Sequence, residues 1–198
     1  NDDGGSSGSQ QDLQCSWADG IIRWLVRERP FRSPHHTVSA AAMAGGGRIP
    51  HPGEVTLAHH GVLFLDELPE FPRQVLEVLR QPIEDGQVTV SRVNAAYTYP
   101  SRFMLISSMN PCPCGFFGDP AHECSCSELE IKRYLRKISG PLLDRIDIHI
   151  QIPQVKYEEM VAVSETEPSK HIAARVKSAR QRQSERLMGT GIFCNAQM

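Results

Sequence analysis

The chain has 198 residues, of which 40% are hydrophobic and 22% charged, and a formal net charge of −2. That length can bury one sizeable core. The near-neutral charge excludes a protein that binds nucleic acid through overall basicity, so any basic surface must be local. No apolar run approaches the roughly 20 residues that span a bilayer, and no basic-then-apolar leader opens the sequence. We expect a soluble globular protein of the cytoplasm, without a membrane partner.

The first quarter of the chain predicts a polar tail followed by short elements. Residues 1–12 are polar and rich in Gly, Ser and Asp, which is typical of a disordered tail. Residues 13–29 place Trp, Ile and Leu between arginines and favour a short helix. Residues 38–44 are rich in Ala and predict another short helix. The glycines and prolines of residues 45–53 predict a loop or hairpin after it.

The most informative segment is Gly61–Glu67, in which four apolar residues run directly into an acidic pair. Such a run is typical of a strand buried on both faces of a parallel sheet, and open α/β sheets bind ligands at the carboxyl ends of their strands. Asp66 can hold a hydrated Mg²⁺ there, and Glu67 can orient or deprotonate a water molecule. This is the Walker B pattern of P-loop NTPases, although an ordinary strand-to-helix junction can carry the same residues.

After the acidic pair the sequence predicts a helix, a hairpin and a second strand. The helix is indicated by apolar residues at four-residue spacing and ends at Gly86; these residues are Phe71, Val75, Leu79 and Ile83. Two short strands, at residues 88–90 and 95–99, form the hairpin. A second buried strand, residues 103–108, ends just before Asn110.

A loop rich in Gly and Pro then carries four clustered cysteines: Cys112, Cys114, Cys124 and Cys126. Four thiols this close in sequence can bind one tetrahedral Zn²⁺, with His122 as a spare ligand. The single-residue spacers depart from the commoner two-residue spacers, and reduced thiols or two disulfides are the alternatives. The histidine pairs at 35–36 and 59–60 have no carboxylate at ligand spacing, which favours a structural role in loops.

The last third of the chain predicts two helices with a strand between them. Ser127 and Glu130 form a capping-box pattern that begins a helix, and Gly140-Pro141 stops it. Alternating isoleucines predict a half-buried strand over residues 146–152. A long helix is expected at residues 170–187. Its basic residues form either a nucleic-acid contact or a solvated face; they are Arg175, Lys177, Arg180, Arg182 and Arg186.

The order of these elements resembles the AAA+ ATPases, and most closely the magnesium-chelatase-like branch that includes the bacterial ComM/YifB type. The resemblance covers about residues 29–198 and not residues 1–28. It is carried by Arg29–His36, Pro52–Glu54, Leu57–His59, Gly61–Phe71, Met109–Pro111 and Ser139–Arg145. It implies an α/β fold, a three-layer core with a mostly parallel but incomplete sheet, a β-hairpin insertion and a C-terminal helix. The domains would then be a non-family or disordered segment at 1–28, the core at 29–160 and a basic helical segment at 161–198.

The same resemblance assigns roles in ATP hydrolysis with Mg²⁺. It makes Asp66 the Walker B carboxylate on the metal and Glu67 the base for the attacking water. Asn110 corresponds to sensor 1, beside the γ-phosphate, and Arg145 to an arginine finger that reaches a neighbouring subunit's nucleotide. Such groups supply the positioning and charge neutralisation that phosphoryl transfer needs. Taken singly, Asn110 is also compatible with a turn residue and Arg145 with a surface ion pair.

One element of that family is missing from the sequence. A P-loop has the pattern Gly-x-x-x-x-Gly-Lys-Ser/Thr, and the chain contains no Gly-Lys dipeptide. The residues before Arg29, where the family places this element, do not resemble it. We therefore expect a fragment of a motor that lacks the phosphate cradle and is inactive alone.

The resemblance leaves three functions open. The first is an ATP-driven ring motor, a hexamer, that remodels DNA by branch migration in recombination or transformation. In that case the hairpin residues Arg92, Tyr97 and Tyr99 would contact nucleic acid. The second is a magnesium-chelatase motor that drives metal insertion into a porphyrin. The third is a non-catalytic, Cys-rich interaction module, which the missing P-loop favours.

Overall fold

The computed structural model describes residues 28–47, 50–92, 95–152, 167–192 and 194–195. The predicted tail at 1–12 and nearly all of the predicted helix at 13–29 lie outside these residues. The chain divides into two compact units, Asn1–Ile152 and Pro153–Met198.

The described strands of the first unit are β1 (Phe31–Arg32), β2 (Gly45–Gly46), β3 (His51–Pro52), β4 (Val62–Leu65), β5 (Gln87–Arg92), β6 (Ala95–Pro100) and β7 (Met104–Ser107). Its described helices are α1 (Ala40–Ala44), α2 (Glu54–Leu57), α3 (Arg73–Val78), α4 (Arg80–Asp85), α5 (Glu128–Leu135) and α6 (Gly140–Leu143), with a 3₁₀ turn at Leu68–Glu70. The second unit contains α7 (Ser169–Leu187).

A three-stranded parallel sheet in the order β1-β4-β7 organises the first unit. Phe31 pairs with Val62, and Leu65 pairs with Ser107, so the carboxyl ends of the strands meet at one edge. The central strand, β4, is the apolar run identified in the sequence. These observations confirm the predicted α/β class with a parallel sheet, and the predicted β-hairpin and C-terminal helix are also present.

The hydrophobic core packs around β4. Leu63 and Leu65 are completely buried, and Met43 of α1, Leu76 of α3 and Leu142 of α6 belong to the same buried cluster. Burying each side chain of this size contributes roughly 1.5–3 kcal/mol relative to leaving it exposed. This core anchors the face of β4 that carries Leu63 and Leu65 and so fixes the position of the acidic pair that follows it. The burial predicted for both faces is found on one face only, because Val62 and Phe64 are partly buried.

An ion pair ties the first strand to helix α2. The Nε and Nη2 atoms of Arg32 donate to two oxygens of Glu54 at 2.7 and 2.8 Å. This bidentate pair is partly buried, and the hydrogen bond to Glu54 raises the pKa of Arg32. Both residues belong to the sequence blocks that carried the family resemblance, and the contact gives them a structural role beside β4.

The helix predicted after the acidic pair is divided in two. Helix α3 ends at Val78 and α4 begins two residues later, although Leu79 is buried as its spacing predicted. Pro82 explains the division, because proline cannot donate to the carbonyl four residues earlier and its ring crowds that carbonyl. Gly86 then ends α4 in the left-handed conformation with a φ of 65°, as predicted.

The hairpin predicted after the acidic pair is present, and the segment predicted as a loop or hairpin at residues 45–53 also contains one. Strands β2 and β3 pair antiparallel after α1, and β5 pairs antiparallel with β6 along its whole length. Val88 and Val90 of β5 are buried, as the alternation predicted. The first hairpin closes tightly against Gly53, where a Cβ atom would lie 2.3 Å from the backbone nitrogen of Gly45.

Helix α5 begins with the capping box that the sequence predicted. The Ser127 hydroxyl accepts a hydrogen bond from the Glu130 N–H at 3.3 Å, and the Glu130 carboxylate accepts one from the Ser127 N–H at 2.8 Å. The next segment differs from the prediction. Gly140 and Pro141 begin helix α6 rather than only ending α5, because a proline in the first turn has no helical hydrogen bond to lose.

The strand predicted at residues 146–152 is absent, so this prediction is wrong. Ile148, Ile150 and Ile152 are 72%, 78% and 80% exposed, and the segment has no regular structure. Alternating isoleucines give a strand one apolar face, but the backbone of a strand also needs a paired neighbour. In the described part of the chain no strand pairs with this segment.

The second unit contains helix α7 where the sequence predicted it. Its residues are largely exposed, apart from Leu187 at its end, so its basic side chains face solvent. One of them, Arg175, forms an ion pair with Glu167 at 2.5 Å. No described helix combines the length and the apolar content that crossing a bilayer requires.

Candidate functional site

The acidic pair lies where the parallel strands end. Asp66 and Glu67 follow directly after β4, and Ser108 follows directly after the neighbouring strand β7. The Ser108 hydroxyl donates a hydrogen bond to Oδ1 of Asp66, and the Glu67 N–H donates to the same oxygen at 3.1 Å. These two bonds fix an exposed carboxylate at the edge of the sheet.

Ser108 also joins the two strand ends through its backbone. Its N–H donates to the Leu65 carbonyl at 3.1 Å, and its carbonyl accepts from the Leu68 N–H at 2.9 Å. The sequence pattern places Ser108 only at the end of a strand and indicates no function for it. No local signal could have found it, because its partner Asp66 lies 42 positions away in the chain.

Glu67 adopts the left-handed backbone conformation, with φ 54° and ψ 50°, which is uncommon for a residue other than glycine. Such strain costs of order 1–3 kcal/mol and persists where the surrounding structure imposes it. The Glu67 side chain is 53% exposed, and one of its oxygens lies 3.5 Å from Nδ1 of His36. The sequence predicted only a loop role for His36, and the structure places it beside the candidate base.

Asn110 lies beyond the end of β7, at the same edge of the sheet, and is exposed. Its backbone N–H bonds to the hydroxyl of Tyr134 on α5. Burial is the main cause that raises the pKa of Tyr134, and this hydrogen bond partly offsets it. Tyr134 is only 6% exposed, so this contact links the backbone of Asn110 to a largely buried side chain of α5.

The residues at this edge suit a magnesium–phosphate ligand. Carboxylate and hydroxyl oxygens, such as those of Asp66 and Ser108, are the hard ligands that Mg²⁺ prefers. The neighbouring Glu67 carboxylate can accept a proton from water. Because the sequence holds no Gly-Lys phosphate loop, this edge would supply one side of such a site rather than the whole of it.

Arg145 follows α6 and is held by Glu84 of α4. Its Nε and Nη2 donate to Oε2 of Glu84 at 3.1 and 2.6 Å, and its Nη1 donates to the Pro141 carbonyl at 2.5 Å. Among the described residues no hydrogen bond or ion pair joins Arg145 to the acidic pair after β4. Arg145 thus forms a surface ion pair, but with Glu84 rather than with the neighbouring Asp144 or Asp147. Its role as an arginine finger stays a prediction.

The hairpin residues predicted to contact nucleic acid differ in exposure. Tyr97 is 46% exposed, whereas Tyr99 packs against the core and donates its hydroxyl to the Pro50 carbonyl at 3.3 Å. Both tyrosines stand opposite the buried valines of β5, on the face that packs inward. The placement of Tyr99 favours a packing role, and the side chain of Arg92 lies outside the described residues.

The four loop cysteines converge, and their sulphur atoms all lie within 4.8 Å of one another. All four are free thiols, so the two disulfides weighed from the sequence are not formed. A hydrogen bond from the Phe116 backbone lowers the pKa of Cys114 to about 5, whereas burial raises the pKa of Cys126 to about 12. Within the described ranges this is the one group of potential metal ligands with three or more members, so neither histidine pair forms another.

A family model described as magnesium chelatase, subunit ChlI, matches residues 14–160 of the chain. The match begins inside the segment 1–28 that we expected to lie outside the family. The placement of the family boundary at residue 29 therefore has no support from this comparison.

Proteins of similar sequence include the uncharacterized protein YifB of Escherichia coli K12, which is 50% identical over 161 residues, 81% of this chain and 31% of its own length. Competence protein ComM of Haemophilus influenzae is 43% identical over 171 residues, 86% of this chain and 33% of its own. The chloroplastic magnesium-chelatase subunit ChlI of Oryza sativa subsp. indica is 28% identical over 119 residues, 60% of this chain and 23% of its own. The chain thus spans about a third of the length of the first two relatives.

Among solved structures, this chain is similar to NtrX from Brucella abortus in complex with ADP. The alignment covers 79% of this chain and 30% of the NtrX chain, at 18% sequence identity and a TM-score of 0.45. A score this low carries no argument for the fold, which rests on the sheet topology instead. Because the family model covers well over half of the chain, the protein belongs to the magnesium chelatase subunit ChlI family, among the ComM/YifB-like members.

Proposed function

We propose that this chain forms the metal-binding and water-activating side of an ATP hydrolysis site in an AAA+ motor. The observation that carries the proposal is the edge of the parallel sheet. There the Ser108 hydroxyl fixes the Asp66 carboxylate by a hydrogen bond. The next residue, Glu67, has a left-handed backbone that turns its side chain outward. Strained, exposed acidic residues at the carboxyl ends of parallel strands are typical of a ligand site. Family membership makes Mg²⁺–ATP the ligand of choice.

In this proposal each residue at the edge has one task. Asp66 and Ser108 would hold Mg²⁺, which would neutralise phosphate charge. Glu67 accepts a proton from the water next to the nucleotide, and His36, 3.5 Å away, orients the Glu67 carboxylate. Asn110 presents its amide at the same edge, on a backbone that Tyr134 braces.

We assign Arg145 to the nucleotide of a neighbouring copy rather than to its own. Its guanidinium is held by Glu84 and the Pro141 carbonyl, and no described contact connects it with the acidic pair. A preorganised arginine at a surface can stabilise transition-state charge across an interface. This assignment requires a ring of copies, for which a hexamer is our expectation.

We propose DNA as the substrate of the motor. The support is the exposed Tyr97 on the hairpin, the exposed basic helix α7, and a 43% identical relative that is named a competence protein. Aromatic and basic side chains together bind single strands by stacking on bases and neutralising phosphates. A chelatase motor is the second candidate, since the family description and a 28% identical relative carry that name. The 43% identity to the competence protein, compared with 28% to the chelatase subunit, favours the DNA motor.

The test compares ATP hydrolysis by wild type, Glu67→Gln and Glu70→Gln in the full-length polypeptide that contains this sequence, with and without single-stranded DNA. Glu67→Gln keeps the shape of the side chain but cannot accept a proton. We expect nucleotide binding to persist while turnover falls by about 10²–10⁴-fold. Glu70→Gln is the matched control, because Glu70 lies on the next turn and pairs with Lys137 at 3.2 Å.

Normal turnover by Glu67→Gln would contradict the assignment of the base. Stimulation of the wild type by DNA supports the DNA motor. ATP hydrolysis that ignores DNA but responds to chelatase partner subunits favours the second candidate. If the full-length protein neither binds nor hydrolyses ATP, the chain is the Cys-rich interaction module weighed from the sequence.

A further inference from the structure

We propose that the four loop cysteines form a structural zinc site. The sulphur of Cys112 lies 3.3 Å from that of Cys114 and 3.7 Å from that of Cys124, and the sulphurs of Cys114 and Cys124 lie 3.6 Å apart. With Zn–S bonds of about 2.3 Å, the edge of a tetrahedron of sulphurs measures about 3.8 Å. Cys126 completes the set within 4.8 Å. The four atoms therefore already have the spacing of a zinc coordination shell.

The surroundings of the sulphurs also suit bound thiolates. Cys112 is completely buried, and the Phe117 N–H donates to its sulphur at 3.3 Å. A backbone N–H that donates to a ligand atom helps to hold that ligand in place for a metal. Four sulphur atoms packed this closely, once deprotonated, would repel one another without a cation between them.

Sulphur geometry also narrows the choice of metal. Four thiolates in a compact tetrahedron select zinc or a single iron, whereas an iron–sulphur cluster holds its cysteines around several metal atoms and needs wider spacing. His122 is not part of the site. Its Nδ1 bonds to Asp119 at 3.1 Å, and its ring packs on Phe116 with centroids 5.0 Å apart.

The site would connect the end of β7 with the start of α5. Cys112 lies two residues after Asn110, and Cys126 immediately precedes Ser127, the N-cap of α5. The described loop between them has no helix or strand, so a metal cross-link would add to the local hydrogen bonds that order it, such as that from the Asp119 N–H to the Phe116 carbonyl at 3.0 Å. Metal binding and loop folding then share one free energy. The zinc site is supported by the sulphur geometry alone. Its further effect, holding Asn110 in place beside a nucleotide, rests on the proposed function.

The experiment measures metal in the 198-residue chain purified without chelators, by elemental analysis, in wild type and two variants. We expect about one zinc per chain in wild type. Cys112→Ser/Cys124→Ser should lose it, and Cys194→Ser should keep it. Cys194 is the matched control, because it is the free cysteine that the structure describes outside the cluster. Cobalt exchange into the wild type reports geometry without any variant: tetrahedral sulphur ligands give an intense thiolate-to-cobalt charge-transfer band.

One zinc per chain that the double variant loses, together with the tetrahedral cobalt spectrum, establishes the site. Metal-free wild type that takes up no zinc or cobalt and titrates as free thiols overturns it. Zinc retained by the double variant also overturns it, as does iron found in place of zinc. ATP turnover is not needed for any of these measurements, so failure of the zinc site and failure of the proposed function are distinguishable.

Discussion

His59 is a buried histidine that the fold keeps uncharged. It precedes the central strand, is 7% exposed, and its Nδ1 accepts a hydrogen bond from the Arg102 backbone N–H at 3.0 Å. Burial, and then the positive charges of His60 and Arg102, lower the pKa of His59 from 6.5 to about 4. Between these two pH values His59 binds a proton in the unfolded chain but not in the folded chain.

Replacing His59 with Asn should therefore reduce the acid sensitivity of the fold. In wild type this contribution to stability is fully present above pH 6.5 and is lost as the pH falls towards about 4. Asn keeps an oxygen acceptor for Arg102 and does not titrate. On acidification, the free energy of unfolding of His59→Asn should therefore fall less than that of wild type. The difference between the two losses should be up to about 3 kcal/mol.

Urea unfolding at about pH 7.5 and about pH 4.5 measures this difference. The pKa of His60 is also lowered, mainly by burial, but His60 is present in both proteins and cancels from the comparison. Equal loss of stability in wild type and His59→Asn would show that His59 is not kept neutral by the fold.

The residues on either side of strand β4 show that this element is under strain at both ends. His60 and Glu67 have φ values of 57° and 54°, and they are the non-glycine residues with positive φ in the described ranges. Each such conformation costs of order 1–3 kcal/mol. The cost is offset by burial of the strand between them. At His60 the strained backbone leads the chain into β4. At Glu67 it turns the acidic side chain towards solvent.

Gly61, at the start of β4, is required by close approach rather than by its backbone angles. Its carbonyl accepts from the Met104 N–H at 3.0 Å, and the next residue, Val62, donates to the Pro30 carbonyl at 2.9 Å. A Cβ atom on Gly61 would lie 1.9 Å from that carbonyl oxygen. Two backbone segments of the sheet leave no room for a side chain here.

Gly61→Ala should therefore disturb the pairing of β1 with β4 and lower the free energy of unfolding by about 2–4 kcal/mol. Gly140→Ala is the matched control, because nothing lies within 4 Å of a Cβ atom at that position. Denaturant unfolding compares the two variants with wild type. If Gly61→Ala is as stable as Gly140→Ala, the sheet can open at this point and the close approach is not a constraint.

At the scale of the whole chain, the acidic edge of the sheet would supply only part of the nucleotide site that we propose. Most contacts to the β- and γ-phosphates in P-loop proteins come from a glycine-rich backbone nest and its lysine, and this sequence has no Gly-Lys dipeptide. We therefore expect the 198-residue chain to bind Mg²⁺–ATP with a Kd of roughly 1 mM or weaker. Titration calorimetry measures it, and micromolar, Mg²⁺-dependent binding would refute the expectation.

The sequence by itself determined the elements whose signals are local. The apolar run that became β4, the capping box of Ser127, the left-handed Gly86 and both hairpins follow from residues close together in the chain, so their chemistry could be predicted without the fold. The acidic pair was found for the same reason. The family followed from the order of these signals along the chain, and the family model bears it out.

Tertiary structure alone decided what depends on distant residues. Ser108 reaches Asp66 across 42 positions, and Arg145 meets Glu84 across 61. The same holds for sheet pairing. The isoleucines of residues 146–152 have the alternation of a strand but lack a described partner, whereas β4 has a strand on each side. A local pattern fixes which side chains can share a face, but only the packed chain fixes which backbone groups and charges come within reach of one another.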